Sequence, residues 1–325
     1  MTNLKQPLVF LAQSVGLALA VVVLNFLLIQ LAPGDPVSVI VGEMGGASEE
    51  VIAQMRAAYG LDKSVLEQLL IYVSKVAVGD LGYSYYHNSP VLQLIMQRLP
   101  ATVLLALSAL TLAVVLGTLV GVLSARKPHG LLSSFVTVVS LIGYAAPVFW
   151  TGLMLLLLFS AIWPIFPTSG MVQMRAPKGF MYYVDVAHHL VLPAVTLASI
   201  YIASYSRLSR TSMIDVLSQD YIRTARAKGL PEGKVVYKHG LRNGLIPVVT
   251  MVGLQFGQLF AGATLVETVF NWPGLGRLAF ESILRRDYPT ILGILLMTSI
   301  LVMVANALTD LAYRLVDPRI RSKRA

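Results

Sequence analysis

No cysteine occurs in the 325 residues. Neither a disulfide framework nor a thiolate metal site can therefore form, and the redox compartment leaves no mark on the sequence. Charge is scarce as well. Asp, Glu, Lys and Arg make up 13% of the chain, against 56% hydrophobic residues and a mean hydropathy of +0.72. A soluble domain carries roughly twice that charged share, so the composition is that of a membrane protein. The phosphate-cradling pattern G-x-x-x-x-G-K-[ST] is absent, and Gly229–Lys234 has neither its glycine spacing nor that of a dinucleotide fingerprint. The chain cannot bind and hydrolyse ATP by such a loop. No Asp, Glu, Lys or Arg stands centrally in any long apolar run, where proton- and sodium-coupled carriers place their working charges. No Ser/His or paired-carboxylate arrangement for hydrolysis lies in these runs either. An embedded enzyme thus lacks its chemistry; a transporter powered from outside the chain and a passive scaffold remain.

Six apolar stretches are present: Leu8–Leu31, Ala101–Ala125, Leu131–Ile162, Leu190–Tyr205, Ile246–Val266 and Thr290–Leu311. The first is too long for a secretory signal, whose apolar region runs to roughly 7–15 residues. The third is interrupted by Gly143 and Pro147, and the fourth contains Pro193. The net charge of +9 is laid down between these stretches, which points to topology and not to nucleic acid. Arg126, Lys127 and His129 follow the second stretch, and Arg314, Arg319, Arg321, Lys323 and Arg324 follow the sixth. The positive-inside rule then predicts an all-α polytopic membrane protein with six transmembrane helices and both termini cytoplasmic. Arg277, Arg285 and Arg286 fall on the outer side and run against that rule. The division is a first transmembrane helix over 1–32, an external region over 33–100, a five-helix core over 101–314 and a basic cytoplasmic tail over 315–325. No internal repeat is visible.

The external region opens with a turn at Pro33–Pro36, and Gly45 and Gly46 mark a loop. Ser48 is placed to cap a helix whose first turn holds Glu49 and Glu50. Val51, Met55, Ala58, Leu66, Leu69, Leu70 and Val73 recur at helical spacing. A docking or gating element for an external partner and a small cap over the outer mouth both fit. Trp150 is expected in the core and Trp163 at the interface. His188 and His189 point to different faces of one helix and do not have metal-ligand spacing. In the fifth stretch Gly253, Gly257 and Ala261 form a small-residue row suited to close helix approach. Gln255 and Gln258 form a neighbouring polar stripe, either lining a solvated path or bonding between helices. Ser140 and Tyr144 of the third stretch are grouped with them as candidate path residues.

The most informative interruption is the basic segment 207–245, and within it Asp220–Pro247. Ser218 or Asp220 can cap a helix with body Tyr221–Lys228. Gly229 suits the left-handed position after a helix end, and Pro231 and Glu232 suit the start of the next helix. The segment reads as helix, Gly-Pro elbow, helix.

Ala225 and Gly229, at i and i+4, resemble the core of the "EAA" loop of ABC-importer permeases, whose pattern is Glu-Ala-Ala, three residues, Gly and later a proline. Here Arg223 and Thr224 stand in place of the Glu and first Ala, and the proline arrives late, at Pro247. The wording DYIRTARAKGL…KHGLRNGLIPVVTMVGLQFG is similar to the variant in dipeptide/oligopeptide permeases, in the first of their two paralogous subunits. LAPGDP (Leu31–Pro36), YGLD (Tyr59–Asp62), GDLGYS (Gly79–Ser84), FNWPGLG (Phe270–Gly276) and DPRIR (Asp317–Arg321) extend the resemblance along nearly the whole chain. It implies an importer-type permease of the bacterial cytoplasmic membrane, embedded in lipid, with a cytoplasmic coupling-helix loop. The implied partners are a second permease subunit (a heterodimer), two ATPase subunits carrying ATP and magnesium, and an external substrate-binding protein. This chain itself holds no cofactor and no catalytic residue. Tyr221, Arg223, Thr224, Ala225, Arg226, Lys228 and Gly229 are the expected ATPase-coupling residues, with Ala225 and Gly229 small because a partner approaches closely. Short peptides are the implied substrate; glutathione, nickel or another small solute stays open.

Overall fold

Hydropathy marks where a stretch stops being lipid-soluble, not where its helix stops, and in this chain the helices outrun the apolar stretches. The structure, a computed structural model, describes residues 5–31, 37, 41, 46, 48–59, 63–84, 86–126, 128 and 130–316. Helix α1 covers Lys5–Leu31, α2 Glu49–Tyr59 and α3 Val65–Ala77; a two-residue hairpin, β1 Tyr83–Ser84 and β2 Ser89–Pro90, leads into α4, Val91–Ala125. Then come α5 (Leu131–Ala145), α6 (Val148–Leu156, ending in a π-helical turn over Leu157–Ile162) and α7 (Phe180–Leu217). The chain continues with α8 (Asp220–Ala227), α9 (Glu232–Lys234), a π-helical turn over Val235–Gly240, α10 (Leu241–Gly244), α11 (Ile246–Val269), α12 (Leu275–Leu284) and α13 (Tyr288–Val316). Among the described residues, Val91–Ala125, Phe180–Leu217 and Tyr288–Thr309 are long and apolar enough to cross a membrane by themselves. The turn expected at Pro33–Pro36, Gly45, the last three residues of YGLD, Lys127, His129 and the basic tail with DPRIR lie outside the described residues.

Two corrections to the helix limits carry a physical reason. α7 continues through Arg207, Arg210 and Asp215, which hydropathy assigned to a loop; Ser206, Ser209 and Met213 stay buried on its inner side and hold those turns in place. The stretch Leu131–Ile162 is two helices, because Pro147 takes an extended conformation (φ −61°, ψ 135°) between them. A proline inside a helix leaves a carbonyl without its N–H, and here the chain breaks instead of kinking.

The chain divides into two compact units. One comprises Met1–Leu99 and Leu278–Met303. In it α2 is entered through Ser48, whose carbonyl accepts from Ile52 N at 3.0 Å. α3 begins with a capping box: Glu67 N donates to Ser64 Oγ, and Ser64 N donates to Glu67 Oε2 at 3.0 Å. Ser84 Oγ and Thr290 Oγ1 both donate to Asp287 Oδ2, at 2.5 and 2.7 Å, which ties the hairpin to the first turn of α13. The Arg285 guanidinium stacks 3.8 Å from the centre of the Tyr86 ring. That contact gives one of the arginines that run against the charge rule a local role.

The other unit comprises Pro100–Arg277 and Val304–Ala325. Its core joins α4, α7 and α11 through Leu105, Ala109, Ala113, Leu197, Tyr201, Val266 and Phe270. Ala109, Ala113, Gly117 and Gly121 form a small-residue ridge along α4 at a four-residue repeat. A Cβ on Gly117 would stand 2.6 Å from Tyr205 Cβ, so the ridge lets α4 and α7 approach backbone to backbone. Gly253 of the expected small-residue row meets Thr309 with no room for a Cβ, while the side chains of Gln258 and Ala261 lie outside the described residues. Trp150 is half exposed, not in the core, and Trp163 is exposed too; the buried tryptophan is Trp272. Its Nε1 donates to Ala101 O at 2.9 Å.

Trp272 belongs to a closed knot at the end of α11. Glu267, fully buried, receives a hydrogen bond from Thr102 Oγ1 at 2.6 Å and one from Arg277 N at 3.0 Å. Thr102 Oγ1 in turn accepts from Leu275 N at 2.7 Å. The carboxylate and the hydroxyl thus satisfy N–H groups at the start of α12, which have no partner inside the helix. Gly274 lies directly on the Glu267 carboxyl, where any Cβ would collide. FNWPGLG is therefore a packing signature as well as a turn, and Glu267 is its centre.

Candidate functional site

The segment after α7 is built from its joints outward. Ser218 ends α7, its Oγ donating to Asp215 O at 2.7 Å, and Gln219 turns extended (φ −72°, ψ 152°) before α8 starts at Asp220. No side chain caps α8, so neither Ser218 nor Asp220 plays the expected part. The far end follows expectation. Gly229 sits at φ +74°, its N–H donating to Arg226 O at 2.9 Å, and Leu230 N reaches back to Ala225 O at 3.4 Å. That pair of bonds is a Schellman closure, and the left-handed residue in it is easiest for glycine. Pro231 then stands extended immediately before Glu232.

α8 has two faces. Ile222 and Ala225 are buried against Val235, Leu217 and Leu230 of the same chain. Tyr221, Arg223, Thr224, Lys228 and Gly229 are exposed. The structure thus separates residues that the sequence placed in one group. Ala225 is small because its own chain closes over it, and its side chain does not lie on the free face. Arg226 has a third role: it holds the elbow from outside, Nη2 to Glu232 Oε1 at 2.8 Å and Nε to Oε2 at 3.2 Å. The forked contact with Arg226 holds the Glu232 carboxyl below the usual carboxylate range and raises the guanidinium above its own.

The mount continues through residues 232–244. Val236 is buried with Val122, Ala125 and Met213, which fixes the π-helical turn to α4 and α7. Ser212 Oγ donates to Gly244 O at 2.9 Å, and Asn243 Nδ2 donates to Tyr221 Oη at 2.9 Å. Arg210 reaches the α4–α5 turn, bonding Ser133 Oγ at 2.9 Å and Pro128 O at 3.0 Å. α8 is therefore a short rigid helix bolted to both α7 and α10, the turn that leads into α11. The sequence signal for the Arg226–Glu232 clamp, opposite charges flanking a Gly-x-Pro elbow, was available; the Asn243–Tyr221 bond had none.

The other candidate residues are more scattered. Gln255 is half-buried on α11, and its Oε1 has no hydrogen-bond partner among the described residues. The side chains of Ser140, Tyr144 and Gln258 lie outside the described residues. His189 Nδ1 lies 2.9 Å from Asp185 O and 3.4 Å from its carboxylate, a partner one turn back that the spacing contained. His188 Nε2 lies 2.9 Å from Ile165 O.

Known proteins give this geometry its context. The family described as "Binding-protein-dependent transport system inner membrane component" matches residues 117–322, and the corresponding N-terminal family matches residues 8–106. A di/tripeptide transport system permease protein (DppB) of Pseudomonas aeruginosa is 42% identical, over 97% of this chain and 99% of its own. A dipeptide transport system permease protein (DppB) of Escherichia coli K12 is 40% identical over the same shares. An oligopeptide transport system permease protein (AppB) of Bacillus subtilis is 40% identical, over 94% of this chain and 96% of its own. With the family match and full-length relatives in agreement, the chain belongs to the inner membrane components of binding-protein-dependent transport systems, the permease family its motifs resemble.

Proposed function

We propose that this chain is the first of two permease subunits in an ATP-driven importer of short peptides. The relatives' names for dipeptide, di/tripeptide and oligopeptide transport, over nearly full length, support the substrate class. The chain crosses the membrane six times with both ends in the cytoplasm, and an external binding protein delivers the peptide. A paralogous permease completes the path. Ser140, Tyr144, Gln255 and Gln258 line it on this side; Gln255 Oε1, which has no hydrogen-bond partner among the described residues, supports this, since such an atom suits a path used by water and substrate.

The energy comes from two ATPase subunits that bind ATP and magnesium. One of them grips the exposed face of α8: Tyr221, Arg223, Thr224, Lys228 and Gly229. Ala225 seats that helix and Arg226 locks its elbow. The observation that carries the reading is the double mount of α8. A helix bolted to α7 through Leu217 and, through Tyr221–Asn243, to α10, the turn that leads into α11, hands any push from below to both sides of the segment at once. Closure of the ATPase pair then rocks the permease between two states, as alternating access requires.

The test is affinity purification of the chain from its native membrane in mild detergent, with co-purifying proteins identified by mass spectrometry. An ATPase and a second permease are expected with the wild type. Thr224→Trp, on the exposed face, is expected to lose the ATPase and keep the second permease. Retention of the ATPase and of transport by that variant would remove α8 as the joint.

A further inference from the structure

We propose that α3 lies along the outer membrane–water boundary with an apolar stripe in the lipid, and does not stand in water as part of an external cap. The inference rests on reading α1 as a membrane span. Chain direction carries it. Gln30 Nε2 donates to Gln68 Oε1 at 2.7 Å. One turn further along α3, Tyr72 meets Phe26, the neighbour of Asn25 and one turn back along α1, with ring centroids 6.1 Å apart. The two helices therefore run antiparallel and side by side over the last turns of α1. Asn25 Nδ2 donates to Leu292 O at 3.2 Å, one turn into α13. The level of Tyr72 is thus the level at which α13 enters its own apolar stretch.

Gln68 and Tyr72 define the side of α3 that faces α1. At about 100° per residue, Leu66, Leu70, Val73 and Ala77 fall in one stripe on the far side. Leu66 is 67% and Leu70 62% exposed, and Val78 just past the helix end is 82% exposed. On α1 the exposed Leu24, Leu27 and Leu28 stand at the same level. The apolar surface of a span and that of α3 are continuous there, and lipid is the occupant they share. Lys63 and Lys75, both exposed, have stems long enough to keep their ammonium groups among lipid phosphates while the leucines insert. Ser64, Glu67 and Asp80 keep both ends of the helix at headgroup level, so it lies on the bilayer and does not cross it.

The native chain has no cysteine, which permits single spin labels. Leu70→Cys and Leu66→Cys would be labelled in the assembled importer in lipid nanodiscs, with Leu24→Cys on α1 as the reference. Relaxation by oxygen is expected to exceed relaxation by a water-soluble nickel chelate at all three sites. Nickel dominance at positions 66 and 70, with oxygen dominance at 24, would place α3 in water and overturn the inference alone. Labels at 66 and 70 shielded from both agents would mean that a protein partner covers the stripe, and would also overturn it. Nickel dominance at 24 would overturn the reading of α1 as a span, and the inference with it.

Discussion

Two acidic side chains, Glu232 on α9 and Glu267 near the end of α11, show what burial does to a polar contact. Glu232 stands at the exposed elbow, with about half of its side chain in solvent, paired with an equally open Arg226. Glu267 is fully buried, with a threonine hydroxyl and a backbone N–H as its donors. Exposed ion pairs are screened and replaceable by water. A buried acceptor has no substitute, so its removal strands every donor it served. The elbow is held by contacts open to water, the knot by hydrogen bonds that converge on one buried carboxyl and its threonine.

The comparison breaks most readily at the knot. Glu267→Ala strands Thr102 Oγ1 and Arg277 N, and should destabilise the purified protein by about 3 kcal/mol or more. Glu267→Gln, which keeps an acceptor, should lose about half as much. Thermal unfolding followed by tryptophan emission measures both, since Trp272 lies in the knot. A Glu267→Ala protein as stable as wild type would mean that the knot is not held by its carboxylate.

Gly274→Ala pushes a methyl group into the Glu267 carboxyl and should cost about 2 kcal/mol. The double variant Glu267→Ala/Gly274→Ala should then cost less than the sum of the two single changes, because the colliding group is gone. Strict additivity would separate the two residues.

At the elbow, Ala225→Trp should overpack the seat of α8 against Val235 and Leu217, costing roughly 1–3 kcal/mol. Thr224→Trp, one position away on the open face, should leave the melting temperature within error. Equal melting losses in both would show that α8 has no buried face.

The smallest effect is expected from Glu232→Gln, within about 1 kcal/mol of wild type. Its readout is local: faster hydrogen exchange at the amides of Leu230 and of Glu232 to Val235. Because Arg226 depresses the folded-state affinity of Glu232 for protons, the clamp contributes above the ordinary carboxylate range and fades as pH falls through the lowered value. Acid should therefore speed exchange at these amides in the wild type and have less effect in Glu232→Gln. Acceleration of the same size in both would assign it to another group.

The elbow was readable residue by residue because its signals are local. Gly229 at a positive φ and Pro231 before the next helix follow from single-residue conformational preferences. The two faces of α8 were not, although Ile222 and Ala225 are one turn apart. In a helix of eight residues, Ala225 serves equally well as a seat or as a gap for a partner, and only the position of Val235 decides. Glu267 escaped notice for a related reason. It lies one residue beyond the apolar stretch ending at Val266, where a carboxylate reads as the first residue in water. Thr102, 165 residues earlier, and the Arg277 N–H, 10 residues later, close over it.

What the sequence by itself determined is the solvent and the kind of work. Scarce charge, six apolar stretches and basic residues gathered between them specify a bilayer protein, because transfer free energies depend on composition and need no contacts. The sequence holds no phosphate-cradling loop, and its ordered motifs identify the family. Tertiary structure decided which faces are free. It turned Ala225 inward, buried Trp272 in place of Trp150, and set α3 antiparallel to α1 through Gln68 and Tyr72. Each of these depends on residues distant in sequence arriving at the same point in space, and no local propensity or hydropathy carries that information.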